Sequence, residues 1–198
     1  MSYSSKYDIF FIHVPKNAGT MIINTFGFNK HGHIRFIDVE NKLTDKKSFA
    51  VVRNPYDRIV SIYEYCKMEK SYWHSNDNTT PYKLIPAQKF LKNMSFKEFV
   101  IMLKNNPNKL INNGMHYHLK SQFFYVKNKH NTIGVKTICK FENINNDLEQ
   151  LFGQDMPILS RINNSRNTNN WEKYYDDELK DIIYKMYKED FVRFGYEK

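Results

Sequence analysis

The feature that most constrains the fold is an apolar run that leads into a glycine-containing loop and then into a second apolar stretch. Tyr7–Val14 is rich in aromatic and β-branched residues, which predicts a buried strand. Pro15 ends it, because proline cannot donate to a sheet ladder. Met21–Phe26 predicts a helix that closes at Gly27. A loop between a strand and the start of a helix offers unpaired backbone N–H groups, which favour an anion.

This first loop, Pro15–Thr20, carries residues that suit a phosphate group. Gly19 allows the backbone to approach a ligand closely, Lys16 offers a point positive charge, and Thr20 offers a hydroxyl donor. The Walker pattern is absent, because Lys16 precedes the glycine and no Gly-Lys-Ser/Thr follows. The alternative is an ordinary turn between strand and helix.

A second segment repeats the arrangement of strand, polar residues and helix. Ser48–Val52 predicts a strand, and a helix follows from Tyr56, with Pro55 suited to its first turn. Arg53 therefore lies at the carboxyl end of a strand, where open α/β sheets bind ligands. Arg53 and Ser61 together could hold a phosphate, the arginine bidentately. The alternative is a structural Arg53 paired with Asp57 and a merely buried Ser61.

The remaining segments predict an alternation of strands and helices, which favours an α/β fold with a parallel sheet. A strand is predicted at His33–Val39, another within Thr132–Phe141, helices at Phe96–Leu103, His116–Val126 and Asp147–Phe152, and loops at 71–94, 105–114 and 160–170. The most regular helical pattern is Leu179, Ile182, Ile183, Met186 and Tyr187. We find no repeat or linker, so the sequence predicts one domain over residues 1–198.

Composition narrows the class of protein. The formal net charge of +9 suits partners that carry phosphate, sulfate, acidic glycan or nucleic acid, although a lysine-rich solvated surface gives the same value. Cys66 and Cys139 are too few for a disulfide framework and are expected to be buried thiols in a reducing compartment. Neither a signal-like stretch nor a run of about 20 apolar residues is present. The expected location is therefore cytoplasmic, although a removed anchor would leave no trace.

The two polar segments together resemble the sulfotransferases that use 3′-phosphoadenosine 5′-phosphosulfate (PAPS). His13–Thr20 is similar to the loop that binds the 5′-phosphosulfate, and Arg53–Ser61 with Tyr63 is similar to the 3′-phosphate motif. Tyr187–Tyr196 resembles the usual ending of the carbohydrate branch. The resemblance runs from about residue 8 to residue 196 and is loose between 65 and 130. It implies a P-loop-like, three-layer α/β fold with a central parallel sheet flanked by helices.

The resemblance also implies a donor site, which would comprise Lys16, Asn17, Ala18, Gly19, Thr20, Met21, Arg53 and Ser61. Lys16 would contact the bridging oxygen of the phosphosulfate and Thr20 the 5′-phosphate, while Arg53 and Ser61 would hold the 3′-phosphate. The family commonly has Thr or Ser where this chain has Asn17, and Ser or Thr where it has Met21. Met21 removes one hydroxyl donor but leaves the backbone cradle. The product nucleotide would be adenosine 3′,5′-bisphosphate, and no metal is required.

A histidine pair supplies a candidate base. Sulfuryl transfer needs the acceptor hydroxyl deprotonated as it attacks, and an imidazole, with an ordinary pKa near 6.5, suits that task. His31-Gly32-His33 resembles the His-Gly-His segment of heparan and dermatan uronosyl 2-O-sulfotransferases. On a strand both histidines would face one side, with His33 as the base and His31 as its support or a substrate contact. The alternatives are surface histidines at a turn, or metal ligands that lack a third partner.

The other histidines are weaker candidates. His13 lies in an apolar strand and is expected to be a core residue. His116 and His118 lie in the segment Met115–Gln122, which resembles the His-and-Gln stretch that lines the acceptor side of carbohydrate sulfotransferases; the alternative is an ordinary helix surface. Around Tyr72, Trp73, His74 and Tyr82, an aromatic loop would either stack on sugar rings or form its own small core.

The sequence thus predicts an enzyme that transfers a sulfuryl group to a hydroxyl, with a carbohydrate, and in particular an acidic glycan, as the favoured acceptor and nucleic acid not expected. One alternative is a P-loop-type kinase, which would lack both the Walker lysine and an obvious Mg²⁺-binding carboxylate after a strand. Another is a non-catalytic basic module that binds sulfated glycan or nucleic acid, which would leave both nucleotide-like motifs without a role.

Overall fold

A four-stranded sheet organises the first of the two units into which the chain divides. The computed structural model describes residues 2–29, 32–43, 45–68, 91–153, 156, 157, 159 and 170–198. The first unit comprises Met1–Asn54 and Ser121–Ile162, and the second comprises Pro55–Lys120 and Asn163–Lys198. Within the described residues, no helix has the length and apolar character needed to cross a membrane.

The sheet is mostly parallel, as the alternation of elements predicts. Its strands are β1 (Ser2–Ser4), β2 (Ile9–Phe11), β3 (Lys47–Val52) and β4 (Thr137–Lys140), in the order β1-β2-β3-β4. The β2–β3 and β3–β4 pairs are parallel, whereas β1 runs antiparallel to β2. The carboxyl ends of β2, β3 and β4 therefore lie at the same end of the sheet. The first loop follows β2 at this end, and Arg53 follows β3.

Helices flank this sheet and complete the α/β fold. They are α1 (Gly19–Thr25), α2 (Glu40–Leu43), α6 (Gln122–Val126) and α7 (Ile144–Phe152), with 3₁₀ turns at Phe36–Asp38 and Phe141–Asn143. The core is aromatic: Phe11 stacks on Phe49 at 4.9 Å and Phe26 on Phe152 at 4.3 Å between ring centroids. Leu148 of α7 is buried in the same cluster. Burial and nearby Asp147 raise the pKa of Cys139 to about 12, so this thiol stays protonated.

The strand predicted at His33–Val39 is wrong. Its described residues have no regular structure before the 3₁₀ turn at Phe36–Asp38. The edge of β2 that such a strand could use is occupied by β1, which the polar N-terminal sequence did not predict. The ring of Phe36 is instead buried against Gly134, where a Cβ would lie 2.3 Å from it.

The second unit is helical in its described part. Its helices are α3 (Pro55–Lys67), α4 (Phe96–Asn105), α5 (Pro107–Leu110) and α8 (Asp177–Phe194), with a π-helical turn at Ile111–Met115 and a 3₁₀ turn at Glu172–Tyr174. Ser95 and Glu98 form a reciprocal capping box that starts α4. Asp176 starts α8 by accepting a hydrogen bond from the N–H of Leu179 at 2.8 Å.

Three local predictions in this unit need correction. The segment 105–114 is helical over much of its length rather than a loop. The helix predicted from His116 begins only at Gln122, because 116–120 forms turns. Met186 is 39% exposed, since α8 kinks at Tyr187 and leaves the regular helical pattern there. Most of the loops predicted at 71–94 and 160–170 falls outside the described residues.

Arg58 is a buried anchor of the second unit. Its guanidinium Nη2 donates to the carbonyl of His118 at 2.9 Å, and the hydroxyl of Tyr187 donates to the carbonyl of Leu119 at 3.0 Å. Burial raises the pKa of Tyr187 to about 12, while Arg58 lowers it and Asp190 raises it. Two side chains thus hold consecutive carbonyls of one turn, which gives Arg58 a structural role.

Candidate functional site

The backbone of the first loop adopts an alternation that suits anion binding. Lys16 has φ 70° and Ala18 has φ 61°, and both are left-handed, whereas Asn17 between them is not. Such alternation points successive N–H groups into one concavity, a geometry that recurs in phosphate sites. Each left-handed non-glycine residue costs about 1–3 kcal/mol and is found mainly where the surroundings impose it. The backbone strain at Lys16 and Ala18 therefore lies in the loop that the sequence predicts to bind phosphate.

Gly19 is required here for a reason that the sequence did not disclose. A Cβ at position 19 would lie 1.9 Å from Nε2 of His13, so the imidazole occupies the space of a side chain. The ring of His13 is held there by stacking on Phe11, with centroids 5.6 Å apart, and by an edge contact with His33 at 4.4 Å. His13, expected to be a core histidine, keeps a small exposed fraction, and its ring is packed directly against the first loop.

Arg53 lies beside the first loop at the carboxyl end of β3. Its Nη1 donates to the carbonyl of Lys16 at 3.3 Å, and its guanidinium lies 4.0 Å from the ring centroid of Phe141. Phe141 follows β4 directly, so two neighbouring strand ends contribute to the arrangement. The stacking on Phe141 fixes the plane of the guanidinium, a favourable cation–π geometry. The structure therefore brings together Lys16 and Arg53, which are 37 residues apart.

Gln122 connects the same two elements from a third one. Its Oε1 accepts from Nδ2 of Asn17 at 2.7 Å and from the N–H of Arg53 at 2.9 Å. Its Nε2 donates to the carbonyl of Arg53 at 2.8 Å. Both Asn17 and Gln122 are fully buried.

His33 is oriented by a backbone carbonyl. Its Nδ1 lies 3.1 Å from the carbonyl oxygen of His13. A carbonyl oxygen only accepts, so this bond requires a proton on Nδ1. In the neutral ring the lone pair then resides on Nε2, which is the state a general base needs.

The pKa of His13 depends on its burial and on its neighbours. Burial lowers this pKa well below the ordinary value of 6.5, and a positive charge on neighbouring His33 or Lys16 lowers it further. His13 therefore stays neutral near pH 7, and its neighbourhood includes both Lys16 and His33.

The remaining predicted site residues differ in burial and lie on different elements of the structure. Thr20 is partly exposed at the start of α1. The side chain of Met21 is buried in the apolar core, so what it can offer an anion is its backbone N–H. Ser61 is buried on α3 of the second unit, and His118 is buried in that unit while His116 is exposed. His31 and the aromatic group at residues 72–82 lie outside the described residues.

Sequence reasoning missed two residues that directly follow β4. Phe141 stacks on Arg53, and Oε1 of Glu142 accepts from the N–H of Asn54 at 2.6 Å. The rule that selected Arg53, its position after a parallel strand, applies equally to Phe141 and Glu142. Gln122 belongs to the Met115–Gln122 stretch that resembles an acceptor-side segment, but its contact with Arg53, 69 residues away, had no signal in the sequence.

Comparison with known proteins agrees with this geometry. Residues 1–197 match the model of the sulfotransferase family. No curated protein and no solved structure matches the chain significantly. The family match spans nearly the whole sequence and includes the strained first loop, Arg53 and His33. The chain therefore belongs to the sulfotransferase family.

Proposed function

We propose that the chain transfers a sulfuryl group from PAPS to a hydroxyl group of a carbohydrate, with His33 as the general base. The observation that carries the proposal is the contact between Arg53 and the first loop. It sets a guanidinium beside a strained, N–H-rich backbone and Lys16. A donor with phosphate groups at both its 5′ and 3′ positions needs two such cationic sites near each other.

The donor-binding roles follow from the chemistry of each group. Lys16, the backbone N–H groups of residues 17–21 and the Thr20 hydroxyl bind the 5′-phosphosulfate. Arg53, held flat on Phe141, binds the 3′-phosphate through charge-assisted hydrogen bonds. Ser61 joins Arg53 in this role on the strength of the family resemblance alone. Bound PAPS supplies an activated sulfuryl group and a stable bisphosphate as the leaving group.

The chain's residues move one proton and stabilise one developing charge. Nε2 of His33 takes the proton of the acceptor hydroxyl as its oxygen bonds to sulfur, while the bond between sulfur and the phosphate oxygen breaks. Lys16 and the loop N–H groups stabilise the negative charge that appears on the departing phosphate, the preorganised electrostatic contribution common to group-transfer enzymes. No metal ion takes part in this scheme.

A carbohydrate acceptor is proposed on two grounds. The His31-Gly32-His33 segment and the C-terminal Tyr187–Tyr196 segment both resemble carbohydrate sulfotransferases. The net charge of +9 attracts an acidic glycan over a neutral one. A screen of glycan and small-alcohol acceptors with sulfur-labelled PAPS identifies the acceptor class directly.

Calorimetry with adenosine 3′,5′-bisphosphate and AMP tests the donor assignment. The protein should bind the bisphosphate more tightly, and Arg53→Ala should remove most of that preference, about 10–100-fold, because a charge-assisted hydrogen bond contributes roughly 1.5–3 kcal/mol. Arg193→Ala is the matched control, since Arg193 is an exposed arginine of α8. It should leave the preference unchanged.

The same titrations separate the rival functions. Equal affinity for AMP and the bisphosphate in the parent protein would overturn the proposal. Tighter binding of ATP than of the bisphosphate would favour a kinase. Binding of heparin with no binding of any nucleotide would favour a glycan-binding module.

A further inference from the structure

We infer that Gln122 is a positioning residue, which holds the first loop and Arg53 at the spacing that the donor requires. The inference rests on the proposed function and adds a residue to the same site. Gln122 is the first residue of α6 and is fully buried. Its amide bonds to Asn17 of the loop and to both backbone groups of Arg53.

The hydrogen-bond pattern permits a single orientation of both amides. Nδ2 of Asn17 faces two acceptors, the carbonyl of Val51 at 2.8 Å and Oε1 of Gln122 at 2.7 Å. Oε1 of Gln122 faces two donors, and its Nε2 faces the carbonyl of Arg53. Turning either amide over would oppose like groups at hydrogen-bond distance. The network is therefore specific in direction as well as in position.

Gln122 also acts on Arg53 as a neighbouring strand would. The ladder between β3 and β4 ends with the pair Val52 and Lys140. One residue later, the Gln122 amide bonds to both the N–H and the carbonyl of Arg53. This fixes the backbone from which the guanidinium extends towards Phe141 and the Lys16 carbonyl. Without the Gln122 amide, the backbone of Arg53 would no longer be fixed, and the guanidinium would lose its defined orientation.

On the loop side, Gln122 supports the strained backbone. Asn17 lies between the left-handed residues Lys16 and Ala18, a conformation that persists only when the surroundings impose it. The buried bonds of Asn17 to Gln122 and Val51 impose it. One glutamine thus holds both the cradle for the 5′ end and the arginine for the 3′ end.

The test compares nucleotide preference, not stability alone. Gln122→Met keeps the length and removes the hydrogen bonds of the amide to Asn17 and to the backbone of Arg53. We expect its preference for adenosine 3′,5′-bisphosphate over AMP to fall by about tenfold or more, since buried groups lose their partners. In an Arg53→Ala background, Gln122→Met should change the preference less than about twofold, because residues acting through one another are not additive. Gln150→Met, at an exposed position of α7, is the control.

A second variant keeps the test decisive if Gln122→Met does not fold. In Gln122→Glu an oxygen replaces Nε2 and faces the carbonyl of Arg53, which suits the site only when the carboxyl group is protonated. Its bisphosphate preference, divided by that of the parent at each pH, should be low at pH 8 and recover towards pH 6. A role in folding alone would lower the melting temperature without this recovery.

The outcomes separate this inference from the proposed function. If the parent prefers the bisphosphate and both Gln122 variants keep that preference, the positioning role is wrong and the donor assignment stands. If Gln122→Met loses as much in the Arg53→Ala background as in the parent, Gln122 does not act through Arg53 and the inference fails. If the parent shows no preference, the donor assignment fails and this role fails with it. Amide exchange without nucleotide gives an independent check, because the Arg53 N–H should lose protection in Gln122→Met.

Discussion

His33 meets a backbone carbonyl through Nδ1, and that one bond decides which of its nitrogens can take a proton. His33→Ala should therefore lower kcat by about 10²–10⁴-fold, the usual contribution of a general base. Its affinity for adenosine 3′,5′-bisphosphate should stay within about twofold of the parent, because a base contacts the acceptor and not the nucleotide. Turnover with one acceptor and calorimetry with the nucleotide provide the two readouts.

His130→Ala serves as the control for His33, because His130 is an exposed histidine of the same unit. It should retain parent turnover. A folded His33→Ala variant with parent-like kcat would move the base to another histidine, with His31 the first to examine. Loss of nucleotide affinity together with turnover would assign His33 to the donor site instead.

Some residues of the candidate site can be predicted from the sequence and others cannot. Lys16, Arg53 and His33 were selected from the sequence, and the structure places Lys16 in contact with Arg53 and His33 beside His13. Phe141 was missed although it ends the segment Thr132–Phe141 in which a strand was predicted. Gln122 could not be assigned its contacts, because a local pattern carries no information on a hydrogen bond that spans 105 residues.

At the scale of elements, the first loop is expected to cost stability. Ala18→Gly should stabilise the protein by about 0.5–1 kcal/mol, since a left-handed L-residue costs roughly 1–2 kcal/mol and the greater freedom of unfolded glycine offsets part of the gain. Ala18→Val should destabilise it, because a β-branched residue tolerates positive φ poorly. Urea unfolding at constant pH measures both.

Asn131→Gly is a useful comparison for Ala18→Gly, because Asn131 also has a left-handed backbone, with φ 59°, and is exposed. Asparagine tolerates this region better than alanine, so its gain should be smaller. A loss of stability in Ala18→Gly would show that the loop is not strained at this residue.

Elements with strong patterns were predicted well. Strands β2, β3 and β4 and helices α3, α4, α7 and α8 fall within or close to their predicted ranges. The missed strand and the wrongly predicted strand are connected: β1 is three residues long and its sequence, Ser2–Ser4, gives no strand pattern, yet it pairs with β2. With β1 paired to that edge of β2, the described residues after His33 pair with no strand and lead into the 3₁₀ turn at Phe36–Asp38.

At the scale of the whole molecule, His13 predicts how stability depends on pH. Its pKa in the folded protein lies well below 6.5, so the unfolded chain binds more protons as the pH falls through that value. Stability should therefore decrease from about pH 7.5 towards pH 5. The carboxyl groups with lowered pKa, such as Asp38 and Asp181, act in the same direction but at more acidic pH.

His13→Phe should flatten the decrease between about pH 7.5 and 5, because it keeps a planar ring and removes the titrating group. Urea midpoints at several pH values provide the measurement, and His130→Phe at an exposed position is the control. An unchanged slope in His13→Phe would assign the pH dependence to other groups.

The contact between His13 and Gly19 makes the order of substitutions matter. A methyl group at position 19 collides with an imidazole that Phe11 and His33 hold in place. If residue 13 first becomes small, the same methyl group meets open space, and the barrier disappears. A small residue at position 13 would therefore have to come before any side chain at position 19, and the reverse order would pass through a clashing intermediate. In this protein the freedom of a loop glycine is governed by a ring six residues earlier in the chain.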